Sequence, residues 1–145
     1  IGVFLFLRLA TFLLALYTRT MKHIIISGLY LLTLFCISTF VFDPAYLYYE
    51  LRWLDIPMHI MGGFGVAAFV GSIFSYRGVK VSYVQLMIAY LVVAILWEGY
   101  EHTLNVVHEG VWYGEREPIA DILDTIKDLV DGAIGMSVAY LFIRK

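Results

Sequence analysis

The chain has 145 residues, 61% of them hydrophobic and only 15% charged, with a net charge of −2. So little charge over this length excludes an ordinary soluble domain and points to an integral membrane protein. The slight acidic balance also excludes nucleic acid as a partner, because that demands a basic surface. Cys36 stands alone within an apolar run and reads as core filler. With no repeat, low-complexity tract or linker, residues 1–145 form a single transmembrane domain.

Residues 3–18 are apolar except for Arg8. A signal peptide would need small residues at a cleavage site, and Leu16 and Tyr17 do not provide them, so a membrane span is expected. Arg8 then snorkels or pairs. Met21 is the first internal methionine; a start there would leave four spans instead of five. Residues 24–42 form the next span, stopped by Asp43-Pro44 because a residue before proline resists helical geometry. The stretch AYLYYELRW interleaves Tyr46, Tyr48, Tyr49 and Trp53 with charge and suits a short helix in the headgroup layer.

Residues 56–76 follow, with Asp55 as an expected N-cap and Pro57 in the first turn. Gly62, Gly65, Ala67, Ala68 and Gly71 make this span suited to close helix approach. Ser82 and Gln85 read as a capping box opening a span over 83–105. The last span covers 119–143. The expected fold is thus an all-α, polytopic transmembrane bundle of four core spans plus an extra N-terminal span. Arg19, Lys22, Arg77, Lys80, Arg144 and Lys145 flank alternate loops. The positive-inside rule then predicts an inner-membrane protein with a cytoplasmic C-terminus and its acidic loops outside.

The last span carries Asp121, Asp124, Asp128 and Asp131. At 100° per residue they fall within about 80° of one another, and Gly132, Gly135 and Ala139 continue the stripe. Each aspartate in mid-membrane costs about 2.5–3.5 kcal/mol, so the stripe must face other helices, water or a cation. Two more spans bring ionisable groups to the same outer end. Asp55 and His59 are i, i+4 neighbours, as are Glu98 and His102, with Glu101 and Asn105 on the latter face. Helix rise puts His59, Glu98 and Asp124 about 5–10 Å below the outer boundary.

Lys127 lies beside the stripe and can neutralise Asp124 or Asp131. One lysine cannot neutralise Glu98, Asp124 and Asp128 together, so protons or a cation must balance the rest. Asp55 capping a helix, Asp121 complementing a helix N-terminus and His102 as a hydrogen-bonded core residue are the structural alternatives. His108, Glu109, Glu115 and Glu117 read as solvated loop residues.

Carboxylates and imidazoles at i, i+4 on facing helices are how helical bundles hold divalent metals. The expected ligands are His59, Glu98, His102, Asp124 and Asp128, for Zn²⁺, Mn²⁺, Fe²⁺ or Mg²⁺. Asp55, Asn105, Asp121, Lys127 and Asp131 complete the polar pocket. Such a site supports hydrolysis of a lipid-linked or envelope substrate, with Glu98 or Glu101 as general base. Two other functions are open. One is a proton or cation transporter using the aspartate ladder, although the stripe turns to glycine and alanine below Asp131. The other is a non-catalytic assembly or lipid-binding protein.

Asp55-Ile-Pro-Met-His59, Glu98-Gly-Tyr-Glu101 and Asp124-Thr-Ile-Lys-Asp128-Leu with Gly135 resemble the pattern of VanZ-like membrane proteins, nearest the YjdF-type branch. The resemblance runs from about residue 24 onward. Ile56, Glu101 and Asp128 stand where the VanZ pattern has lysine, glutamine and asparagine, which makes this site more acidic. The resemblance implies a cell-envelope role, with a link to low-level glycopeptide-antibiotic resistance.

Overall fold

The structure is a computed structural model describing residues 2–107 and 118–144, with side chains described at position 8, over 21–104 except 49, and at 106–107 and 122–144. Asn105, Asp121 and the loop residues His108, Glu109, Glu115 and Glu117 lie outside the described side chains. Among the described residues the chain is helical, without strands. It comprises α1 (Gly2–Ile37), a π-turn (Ser38–Phe42), α2 (Leu47–Glu50), a 3-10 turn (Arg52–Leu54), α3 (Asp55–Tyr76), α4 (Tyr83–Val107) and α5 (Pro118–Ile143).

The two expected N-terminal spans, 3–18 and 24–42, are not separate. One helix of 36 residues joins them. The intervening TRTMKH contains neither proline nor glycine, and arginine, methionine and lysine are good helix formers, so nothing reverses the chain. At 1.5 Å per residue α1 is about 54 Å long, against a hydrocarbon core of about 30 Å. The helix offers no reversal between the two expected spans, so they do not pair antiparallel.

The π-turn ends where Asp43-Pro44 was expected to stop the helix, and Asp43 donates its backbone N–H to the Ser38 carbonyl at 3.0 Å. Tyr46 then turns the chain at φ 54°. Between Ser82 and Gln85 the capping box forms as expected. The Ser82 N–H donates to Gln85 Oε1 at 2.9 Å, and the Gln85 N–H to Ser82 Oγ at 3.3 Å. Asp55 does not act as an N-cap. It is already helical, Leu54 precedes it in the capping position without a side-chain bond, and the Asp55 carboxylate turns to α5.

Among the described residues, three helical segments are long and apolar enough to cross a membrane: Met21–Phe42, Arg52–Tyr76 and Tyr83–Leu104. Helix α5 has the length but carries more charge than such a segment tolerates. Its outward face is nonetheless apolar, with Ile122, Leu123, Ile126, Val130, Ile134, Leu141 and Phe142 all exposed.

Helix α3 is the centre of the bundle, with its broadest contact on α5 and with α1 and α4 on its other sides. Small residues set how near α5 comes. A β-carbon on Gly63 would run into the Gly132 carbonyl, and one on Gly135 into that of Ile60. Gly65 gives room to Tyr30 and Leu31, and Gly71 to Ile143. Where lipid is as apolar as the helices, such close approach supplies the dispersion contacts that hold a bundle together. The buried core around the seam comprises Val66, Ala67, Leu86, Tyr90, Met136 and Ala139, with Val81.

Candidate functional site

The close approach of α3 and α5 brings the first turn of one against the acidic stripe of the other. Lys127 Nζ donates to Asp55 Oδ2 at 2.7 Å and to Asp124 Oδ1 at 3.2 Å. It also lies 2.8 Å from Asp128 Oδ1, but off the hydrogen-bonding direction, so that buried oxygen has an ion pair and no hydrogen bond. Lys127 therefore joins both helices. It does neutralise Asp124, as the sequence allowed. Its other partners are Asp55 and Asp128, not Asp131, whose buried Oδ2 has no hydrogen-bond partner.

His59 stands between two acidic groups. Its Nε2 faces Asp55 Oδ1 at 3.1 Å and Asp128 Oδ2 at 3.8 Å, while Nδ1 points to α4, 4.0 Å from Glu98 Oε1. Nε2 thus faces the Asp55 carboxylate and Nδ1 faces Glu98. Among the described residues, two trios present ligand atoms within 4.8 Å of one another: Asp55, His59 and Asp128, and His59, Glu98 and Glu101. The first is already served by the Lys127 ammonium, which would repel a metal ion placed beside it. The second has no such cation in it, and its histidine is backed by a carboxylate, the usual arrangement behind a metal-ligating imidazole.

Of the metal ligands expected from the sequence, the structure gathers His59 and Glu98, and brings Glu101 to them. Asp128 reaches His59 from the lysine side. Asp124 belongs to the lysine cluster, and His102 is exposed and belongs to neither trio. Positions i and i+4 share a helix face only approximately, and at the end of α4 it is Glu98 and Glu101 that turn inward together.

A cavity of about 480 Å³ opens from this site between α1, α3 and α4. His59, Glu101, Tyr48 and Ser38 line it together with the rings of Tyr90 and Trp97, and most of the remaining wall is apolar, including Leu31, Val66, Val70, Val93 and Ala94. Phe35 closes on Trp97 and Tyr100 across it, with ring centroids 6.1 and 6.2 Å apart. Sequence reading named His59 and Glu101 but missed Ser38, Tyr48, Phe35 and Trp97 as parts of the site. Tyr48 was expected at the headgroup layer, yet it bonds Ser38 at 2.9 Å, and burial pushes its phenol up, so it stays a hydroxyl at neutral pH. Tyr90 reaches from α4 to the Leu129 carbonyl at 2.7 Å. A tyrosine inside an apolar run needs a partner for its hydroxyl, and that was the signal available.

Fold and site together define a class: a helical integral membrane protein with partly buried ionisable side chains gathered at one end of its bundle. The chain belongs to the family described as predicted membrane protein (DUF2238), whose model matches residues 3–145. No curated protein and no solved structure matches it.

Proposed function

We propose that this is a multi-pass membrane protein that holds a divalent metal ion with His59 Nδ1, Glu98 and Glu101 and acts on a lipid-linked or envelope substrate. The observation that carries the reading is His59 held between Asp55 on one ring nitrogen and Glu98 on the other. Asp55 orients the imidazole, and Lys127 in turn holds Asp55 and Asp128. Three protein donors, with oxygen outnumbering nitrogen, suit Zn²⁺, Mn²⁺ or Fe²⁺ and leave coordination open. Such an ion supplies Lewis acidity toward an ester or phosphoester bond. Glu101 is the carboxylate of the trio that also lines the cavity, which suits it to take a proton there.

The apolar outward face of α5 supports a fourth crossing, with the charged stripe turned inward against α3. Arg77, Lys80 and Arg144 then lie on the cytoplasmic side and the polar cluster near the outer surface of the inner membrane. The resemblance to VanZ-like and YjdF-type proteins supports a role at the envelope. A relay along the aspartates has Asp131 in its favour, but beyond it the stripe continues as Gly132, closed by Tyr90 of α4, and Gly135, closed by α3.

Metal analysis of purified protein is the test. Wild type should retain about one ion per chain, His59→Ala and Glu98→Gln close to none, and Asp124→Asn as much as wild type. Equal, near-zero metal in all four ends the reading.

A further inference from the structure

The cavity is not a neutral gap. It is concave, apolar along its length and polar at one end only, and its volume of about 480 Å³ is in the range of ligand sites. Apart from Tyr48, its walls lie on segments apolar enough to cross a membrane, so what reaches it by lateral diffusion is lipid. At its polar end the wall of α1 leaves regular helix for the π-turn, a distortion frequent at functional sites. That end is also acidic. Glu101 and His59 line that end, and behind them Asp55, Glu98, Asp124 and Asp128 outnumber the cation Lys127. An acidic mouth favours a headgroup carrying a positive charge and disfavours an anionic one.

We propose that the cleft between α1, α3 and α4 seats one acyl chain of a phospholipid with an amine headgroup, placing that headgroup at the His59–Glu101 end. This deepens the reading above by naming the substrate class. It rests on that reading for chemistry alone, since the chain seat needs no metal.

Gly62 supplies the test. It lines the cleft, and a β-carbon there meets nothing within 4 Å, so a larger side chain fills the seat without striking a neighbouring helix. Purified protein in vesicles of phosphatidylethanolamine and phosphatidylglycerol is irradiated with a phosphatidylethanolamine carrying a diazirine midway along one chain. The adducts are mapped by mass spectrometry. They should concentrate on Val66, Val70 and Ala94 and fall about tenfold or more in Gly62→Leu, as overpacking predicts. Val130→Phe, on the outward face of α5, should leave labelling unchanged, and a melting temperature near wild type in Gly62→Leu shows that its loss of labelling is not unfolding.

Unlabelled phosphatidylethanolamine should compete and phosphatidylglycerol should not. Adducts spread evenly over outward residues such as Leu96 and Phe142, with no effect of Gly62→Leu, overturn the seat. Equal competition by both lipids overturns the headgroup. Labelling that persists after chelation, in protein that never held metal, sinks the metal reading and leaves this one standing.

Discussion

A β-carbon on Gly63 would collide with the carbonyl of Gly132, whereas one on its neighbour Gly62 would meet nothing within 4 Å. The two glycines are successive residues of the same helix, yet one sits in a backbone-to-backbone contact with α5 and the other faces the cleft. Gly63 lets α5 come close enough for Lys127 to reach Asp55. Gly62 keeps the cleft clear beside His59. One face of α3 therefore builds the polar cluster, and the next gives access to it. The same residue type does opposite work, and only the position of the neighbouring helices distinguishes the cases.

Four substitutions sharpen this contrast, read as thermal unfolding in detergent. Gly63→Ala should have the largest effect, about 3 kcal/mol or more, because the obstacle is backbone and cannot rotate away. A melting temperature near wild type would mean that the seam is looser than described. Lys127→Met should rank second. It leaves Asp55, Asp124 and Asp128 without their shared cation at about 1–3 kcal/mol, below the cost of a fully buried pair because Lys127 is 39% exposed. A further Asp128→Asn change should recover part of that loss, and no recovery would show that the pair does not bind the helices.

Tyr90→Phe removes the bond to Leu129 and should cost about 1 kcal/mol. A larger loss would mean that the hydroxyl also orders the seam beneath Asp128. Gly62→Ala should come last and with opposite sign, raising stability by up to about 1 kcal/mol through helix propensity. Destabilisation there would show that the cleft closes in the folded protein.

Much of the architecture was legible because the membrane imposes long-range consequences on local composition. Apolar runs of spanning length marked the helices, and Ser82 with Gln85 marked a helix start. Four aspartates at helical spacing required an inward face. The break expected after Thr18 failed because charge was read as punctuation where no helix breaker stands. At the site, spacing found His59, Glu98 and the aspartate stripe but not their division. Asp124 and Asp128 turn to Lys127, and Glu101 replaces His102 beside His59, through axial rotations that spacing on one helix cannot specify.

From its sequence alone this protein is a helical membrane protein with acidic and imidazole groups forced inward, because burying charge in lipid costs too much for any other outcome. Which carboxylate meets the lysine, which faces the histidine, and that a cleft lies over Gly62 were decided by tertiary structure. Those choices depend on how closely α5 approaches α3, and that distance is set by backbone contacts between residues far apart in the chain.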